Sequence, residues 1–291
     1  MDVQLGLLFG LVAMASWGIS DFLAAYISRK IGFFRAFAIT RALSMILLLL
    51  LIPFFFTQVA LSQTAIILIL VTAFFFIVAN LSYYKGFAVG EISVISPIAS
   101  TYPVITVLLS VFLLKESLSL LQIAAIGLAI IGSVLTSFRF ADLKNLKPKK
   151  FSQGVGYAVL ASIGWGIMML LIGILANTLG WFPPILFMNV AVLFYLIPAS
   201  RLYKKSLTAP IKGSMTAILL VSILMVIFDT SAGLSYSIST TFSYIAIVAT
   251  VSSIYPMLTI LLARIVFKEK LGANQMLGVG LVLLALFLLS L

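Results

Sequence analysis

Ten long apolar stretches alternate with short polar connections along this chain. A helix that crosses a bilayer needs about 20 predominantly apolar residues, and each stretch is about that long. The sequence therefore predicts an all-α polytopic membrane protein with ten transmembrane helices. We number the stretches 1 to 10, and they cover 5–27, 33–55, 61–84, 92–113, 119–137, 154–178, 181–200, 214–238, 243–266 and 272–290.

The longest polar stretch, residues 138–153, divides the chain into two parts with five apolar segments each. It is rich in Lys and contains one Pro, which is typical of a connection rather than a span. We therefore predict a first five-helix repeat over 1–137, a basic linker over 138–153 and a second five-helix repeat over 154–291.

The two parts are internally homologous. Residues 81–132 match residues 234–285 at sixteen of fifty-two positions without a gap. The matches include Tyr-Pro, Lys-Glu, Gln and Gly, which do not coincide merely because both segments are rich in Leu. At a shift of 148, Trp17-Gly18 also returns as Trp165-Gly166. Because each repeat has an odd number of spans, the second copy must be inverted in the membrane, as in many secondary transporters.

Composition supports a membrane location. Of the residues, 63% are hydrophobic and 9% are charged, whereas soluble domains have about 25% charged residues. The net charge of +11 does not indicate nucleic-acid binding, because the basic residues lie in the short connections. Met1-Asp2 lacks the basic start of a signal peptide, so no cleaved segment is expected.

The basic residues are concentrated on one predicted side, reached by the ends of segments 1, 3, 5, 7 and 9. By the positive-inside rule this side is cytoplasmic, so we expect a multi-pass protein of the plasma membrane with a cytoplasmic 138–153 linker and both termini outside. The opposite side has Lys115 alone, whereas the cytoplasmic side has Arg29, Lys30, Arg35, Arg41, Lys85, Arg139, Lys144, Lys147, Lys149, Lys150, Arg201, Lys204, Lys205, Lys212, Arg264, Lys268 and Lys270.

The chain has no Cys and no His. This excludes thiol redox chemistry, His or Cys metal sites and nucleophile–His pairs. Neither Asp21 nor Asp229 lies in the Gly-x-Gly-Asp context of a membrane aspartyl protease. We therefore predict a protein that is not an enzyme, with no catalytic residues, no cofactor and no metal.

Asp229 lies near the middle of segment 8. A charge there costs about 2.5–3.5 kcal/mol on insertion scales, so it is expected to face a cavity or a partner, or to be protonated. Helical spacing places it on one stripe with Tyr236. Two interpretations stay open: Asp229 binds a substrate ammonium or a coupling proton, or it is a buried carboxyl bonded to Ser or Tyr.

Asp21 and Arg41 lie at comparable depths in segments 1 and 2. The simplest expectation is that they neutralise each other, and the alternative is a role in gating or substrate binding. Asn80, Tyr83 and Tyr84 share a stripe on segment 3, where they are either interfacial anchors or part of a cavity wall.

Segments 4 and 9 contain proline and hydroxyl residues at corresponding positions. Proline removes a backbone hydrogen bond, which a hydroxyl, water or a neighbouring helix must replace. Such helices in both repeats point to a binding site, although Ser and Thr also permit close helix packing. Trp17 and Trp165 lie too deep for an aromatic belt and form either a pathway wall or a packing contact.

The resulting set of predicted site residues is as follows. Asp229, Asp21 and Arg41 are predicted to act in coupling or gating. The predicted substrate cavity comprises Trp17, Asn80, Tyr83, Tyr84, Ser96, Ser100, Trp165, Asp229, Tyr236, Thr250 and Ser253.

Each half also contains a Pro-containing helix, a turn with Glu, and then Leu-x₃-Gln-x₄-Gly. These residues are Pro103, Glu116, Leu118, Gln122 and Gly127, and Pro256, Glu269, Leu271, Gln275 and Gly280. From the residues alone, each Glu is expected to cap a helix at a turn. The glycines of segments 5 and 10 are expected to pack helices or form a dimer surface, and they are Gly127, Gly132, Gly272, Gly278 and Gly280.

This pattern resembles the EamA family of the drug/metabolite transporter superfamily over essentially the whole chain. Lys115 and Lys268 stand where family members commonly have Gly, which we expect to alter the turn rather than the function. The resemblance implies a ten-helix transporter with a central cavity that exports amino acids or related small metabolites. Alternatives are nucleotide sugars or other phosphorylated metabolites, or a lipid flippase or channel. Expected partners are a small-molecule substrate, the lipid bilayer and, in a coupled mechanism, protons, with the chain as a monomer or homodimer.

Overall fold

A computed structural model describes residues 2–89, 92–140, 148–203, 211, 214–267 and 272–290. The described residues are helical almost throughout, and their boundaries follow the apolar segments. The helices are α1 (Val3–Ile31), α2 (Phe33–Phe55), α3 (Gln63–Val89), α4 (Ile92–Ala99), α5 (Tyr102–Leu114), α6 (Leu120–Thr136), α7 (Pro148–Leu179), α8 (Phe182–Leu202), α9 (Met215–Phe242), α10 (Ile245–Ser252), α11 (Tyr255–Phe267) and α12 (Ala273–Leu289).

Among the described residues, seven helical stretches are long and apolar enough to cross a membrane, and one of them, Pro97–Leu114, runs from the end of α4 through α5. Three shorter apolar stretches accompany them, Leu120–Thr136, Ile245–Leu258 and Ala273–Leu289. The chain is therefore a polytopic helical membrane protein. Helix α7 begins at Pro148, inside the predicted linker, whereas 141–147 lies outside the described residues.

Segments 4 and 9 are each broken into two helices at the same place in the repeat. Helix α4 ends at Ala99 before α5 begins at Tyr102-Pro103, and α10 ends at Ser252 before α11 begins at Tyr255-Pro256. Proline lacks the N–H that would continue the helix, and its ring clashes with the preceding turn. The repeated Tyr-Pro therefore places a break at corresponding positions in both halves.

Helix packing follows the same repeat. The first helix of each half packs along the third span of the other half, as α1 does on α9 and α7 does on α3. Helix α6 packs on its counterpart α12. These reciprocal contacts place the interface between the halves at the centre of the fold.

Glycine permits the closest of these approaches. A Cβ on Gly132 would lie 2.8 Å from the carbonyl oxygen of Gly278, and a Cβ on Gly278 would lie 2.7 Å from that of Gly132. The predicted packing role is therefore observed for these two glycines in the α6–α12 contact. Gly127 and Gly280 have no such neighbour, since nothing lies within 4 Å of an added Cβ.

The repeated Gln closes a helix cap in both halves. The Gln122 side chain accepts a bond from the Ser119 N–H, while the Ser119 hydroxyl accepts from the Gln122 N–H. The Gln275 side chain accepts from the Gly272 N–H at 2.9 Å. Such reciprocal bonds satisfy N–H groups that a helix start leaves unpaired. The Gln of each motif thus caps the start of its helix, α6 or α12.

Candidate functional site

A cavity of about 130 Å³ lies between the two halves. Seven helices line it: α1, α2, α3 and α5 from the first half, and α7, α9 and α11 from the second. Its walls combine aromatic, hydroxyl and methionine side chains with three charged ones. The lining residues are Trp17, Ser20, Asp21, Ala24, Ser28, Ala36, Phe37, Thr40, Arg41, Phe76, Asn80, Tyr84, Tyr102, Trp165, Met168, Met169, Met225, Asp229 and Tyr255.

The cavity is displaced toward one face of the membrane. On α1 its lining residues run from Trp17 to Ser28, close to the helix end at Ile31, and on α2 they begin at Ala36, close to the helix start at Phe33. We call this side the basic face, because the sequence concentrates Lys and Arg there. The cavity thus extends from mid-membrane toward the basic face.

Arg41 of α2 and Asp229 of α9 form an ion pair in the cavity wall, with the guanidinium donating to the carboxylate. The Arg41 side chain is 7% exposed and that of Asp229 is 22% exposed. The guanidinium carbon lies 5.3 Å from the ring centroid of Phe76 and 5.8 Å from that of Phe37. Two aromatic faces and one carboxylate therefore compensate a positive charge held away from water.

This pair corrects one expectation from the sequence. Arg41 was expected to neutralise Asp21 on the adjacent helix, but its carboxylate partner is Asp229, 188 positions away. Asp229 consequently has the partner that its depth in the membrane demands. A neutral carboxyl bonded only to Ser or Tyr is not what the structure shows.

Asp21 lines the same cavity from α1 and is exposed to it. Within the described part of the chain, no hydrogen bond or ion pair involves its carboxylate. Asp21 lies close enough to Asp229, Tyr84 and Tyr255 to interact with them electrostatically. One carboxylate of the cavity is therefore paired with a cation, and a second is available to a ligand.

The Trp-Gly pair of each half both lines the cavity and packs against a neighbouring helix, the two alternatives that the sequence left open. Trp17 and Trp165 line the cavity. A Cβ on Gly18 would lie 3.0 Å from the carbonyl oxygen of Tyr255, and one on Gly166 would lie 2.8 Å from that of Tyr102. The glycine therefore lets the first helix of one half pack against the helix break of the other half, while the adjacent indole reaches the cavity.

Tyr102 and Tyr255 are cavity residues absent from the predicted set. They are the first residues of α5 and α11, so the proline-dependent breaks place both rings at the cavity. The signal was present in the sequence as a Tyr-Pro pair repeated in register. Ser20, Ala24 and Ser28, which share one face of α1 with Trp17 and Asp21, were also missed.

Other predicted cavity residues lie outside the cavity. Ser100, Thr250 and Ser253 are buried, and their hydroxyls donate to backbone carbonyls of Pro97, Ala246 and Thr250. These bonds satisfy backbone carbonyls around the helix breaks, and a hydroxyl is one of the groups that can replace the hydrogen bond that proline removes. The side chain of Ser96 lies outside the described residues.

Two other tyrosines of the predicted set, Tyr236 and Tyr83, pack against residues that line the cavity. Tyr236 is fully buried and donates to the carbonyl of Met169 at 3.0 Å, with its ring 5.9 Å from that of Trp17. Tyr83 packs its ring 4.9 Å from that of Trp165. Asn80 and Tyr84 do line the cavity. The structure thus separates the segment 3 stripe into cavity residues and supporting residues.

At the opposite face, side chains of each half bond to backbone groups of the other half. The Glu116 carboxylate accepts from the N–H groups of Ile245 and Ala246, at 2.7 and 3.1 Å, at the start of α10. At the same end of the bundle, the Ser239 hydroxyl donates to the carbonyl of Gly6. A carboxylate on helix N-terminal amides is a charge-assisted bond that also favours the helix dipole.

Glu116 therefore caps a helix, but not the one that follows it in sequence. Helix α6 has its own cap from Ser119, and Glu116 reaches α10 in the other half instead. Lys115 ends α5 in the left-handed conformation, with φ of 56°. This conformation favours Gly, so Lys115 keeps a turn that Gly would form with less strain. The counterpart Glu269 lies outside the described residues.

Comparisons with known proteins agree with a two-fold repeated transporter. The EamA-like transporter family matches the chain twice, over residues 4–138 and 152–291. An uncharacterized transporter of Archaeoglobus fulgidus is 26% identical over 232 residues, 79% of this chain and 77% of its own. An uncharacterized protein of Methanocaldococcus jannaschii is 28% identical over 131 residues, which are 45% of this chain but 95% of that protein. That relative thus has the length of a single repeat.

A protein of known crystal structure superposes on this chain with a TM-score of 0.80. The superposition covers 97% of this chain and 95% of the other, at 15% sequence identity. The likeness at this identity establishes the fold alone.

Proposed function

The chain belongs to the EamA-like transporter family, and on that basis we propose that it is a secondary transporter of amino acids or related small metabolites. The proposed direction is export from the cytoplasm. The observation that supports this most directly is the cavity between the two halves, which holds carboxylates and a guanidinium side by side. A zwitterionic amino acid presents the complementary groups, an ammonium and a carboxylate.

The proposed architecture has ten spans in two inverted repeats of five, over 1–137 and 154–291. Three shorter apolar helices in addition to the seven long ones would complete the ten. The reciprocal packing of α1 on α9 and of α7 on α3 is what a two-fold relation between the halves requires. The concentration of basic residues supports a plasma-membrane protein with its 138–153 linker in the cytoplasm.

The cavity favours a small substrate over a phosphorylated one. Its volume of about 130 Å³ is below the roughly 300–1,000 Å³ of pockets for drug-sized ligands. Arg41 is the one basic residue among the lining residues described, and the carboxylates of Asp21 and Asp229 line the cavity with it. A phosphate group is bound by several strong donors, so nucleotide sugars and sugar phosphates fit this site poorly.

Alternating access accounts for the position of the cavity. It extends toward the basic face, while Glu116, Gly6 and their partners close the opposite face. In the proposed cycle, the substrate enters from the basic face, and the two halves then exchange conformations. The contacts of Glu116 with α10 would open, and counterpart contacts would form at the basic face.

Uptake into proteoliposomes tests this function. Purified protein is reconstituted and offered a panel of labelled amino acids, with and without an imposed pH gradient. We expect saturable uptake of some members, and a response to the gradient would support proton coupling. Protein-free liposomes and the variant Asp2→Asn, which alters a carboxylate at the exposed start of α1, serve as controls. Folded protein that transports none of the panel would refute the substrate proposal.

A further inference from the structure

The charged groups of the cavity do not balance. Its described lining contains two carboxylates, Asp21 and Asp229, and one guanidinium, Arg41. With all three ionised, the wall has a net charge of −1. Because a charge held inside the bilayer is costly unless it is compensated, a ligand that brings one positive charge would complete the site.

The imbalance is located at Asp21. Asp229 is bound to Arg41, so the guanidinium compensates that carboxylate first. Asp21 faces the cavity and has no hydrogen-bond or ion-pair partner among the residues that the structure describes. It is therefore the carboxylate that a ligand can reach without breaking an existing pair.

Several aromatic side chains line the same cavity as this carboxylate. Trp17 lies one helical turn away on α1, and both side chains line the cavity. Tyr84, Tyr102 and Tyr255 also line it and lie within electrostatic range of Asp21. The face of an aromatic ring attracts an ammonium or guanidinium group, most strongly when water is excluded.

We infer that the cavity selects substrates with a net positive charge, such as basic amino acids or small amines, and that Asp21 binds the additional cationic group. This inference rests on the proposed transport function and specifies the substrate class of the same site. A zwitterion brings no net charge, so the lining would keep its net charge of −1. An anionic substrate would add a further negative charge beside two carboxylates.

Binding measured apart from transport tests the inference. Trp17 and Trp165 line the cavity, so ligand binding in detergent can be followed by tryptophan fluorescence. Lysine and norleucine form a matched pair, since norleucine has the same backbone and the same four-carbon side chain without the terminal ammonium group. We expect lysine to bind at least about tenfold more tightly than norleucine, a difference typical of one desolvated cationic contact.

Three variants assign the preference to Asp21. Asp21→Asn is expected to bring the lysine and norleucine affinities within about threefold of each other, and Asp21→Glu to retain most of the preference. Asp2→Asn removes a carboxylate from the same helix at its exposed start and leaves the preference unchanged. Unfolding midpoints of the variants establish that each protein is folded.

The outcomes separate this inference from the proposed function. Equal affinity for lysine and norleucine in the unmodified protein, or a preference that survives in Asp21→Asn, overturns the inference. Uptake of neutral amino acids would still support the transporter in that case. If folded protein neither binds nor transports any amino acid, the proposed substrate falls and the inference with it.

Discussion

The Arg41–Asp229 pair allows a quantitative test of how charge is held inside this membrane protein. Removing one partner of a buried pair leaves the other charge uncompensated, which costs about 3–5 kcal/mol in soluble proteins. The Arg41 side chain is 7% exposed and that of Asp229 is 22% exposed. The cost should therefore be larger when Arg41 is the charge left behind.

We accordingly expect Asp229→Leu to lower the free energy of unfolding by about 3 kcal/mol or more. Arg41→Met should cost less, about 1–3 kcal/mol, because water in the cavity can solvate the more exposed Asp229 carboxylate. The double variant should regain most of this loss, because replacing both partners with apolar groups is often neutral or stabilising. The three variants and the unmodified protein form a double-mutant cycle.

Unfolding in mixed micelles, followed by circular dichroism, measures all four free energies. The expected coupling between the two substitutions is about 2 kcal/mol or more. Additive effects of the single substitutions would refute the conclusion that the pair compensates charge in the wall. An order of costs opposite to the predicted one would refute the argument from exposure.

Three further predictions concern the contacts that position the cavity. Gly166→Ala places a Cβ 2.5 Å from the Cβ of Ile105 and should lower the free energy of unfolding by about 1–3 kcal/mol. The matched control is Gly127→Ala, whose Cβ meets nothing within 4 Å and should leave the free energy of unfolding unchanged. Equal effects of the two substitutions would contradict the packing argument. Glu116→Gln should weaken the cap on α10 by about 1–2 kcal/mol and speed hydrogen exchange of the first two amides of α10. Unchanged exchange would show that the Glu116 carboxylate does not stabilise the start of α10. Lys115→Gly should raise the unfolding midpoint, because a backbone φ of 56° costs a residue with a side chain about 1 kcal/mol. A lower midpoint would mean that the Lys115 side chain stabilises the turn by more than the backbone strain costs.

The sequence by itself determined the helices and the repeat. A run of about 20 apolar residues in a bilayer has no other way to pair its backbone groups than to form a helix. The family resemblance, confirmed by two family matches over the chain, rested on residues that repeat in register. The repeated Tyr-Pro and Trp-Gly pairs act locally, because proline lacks an N–H and glycine lacks a Cβ. Their positions in the sequence therefore coincide with the helix breaks and the close helix contacts observed.

Only the tertiary structure decided which helices face each other. Helical periodicity places Arg41 on one face of α2, but it does not say whether that face meets Asp21 of α1 or Asp229 of α9. Likewise it does not reveal that Glu116 reaches α10 rather than α6. A helix that is apolar on all sides has no amphipathic stripe to fix its rotation in lipid. The partners of its few polar side chains therefore depend on packing across 129 to 188 residues of chain, and the composition of the cavity depends on the same packing.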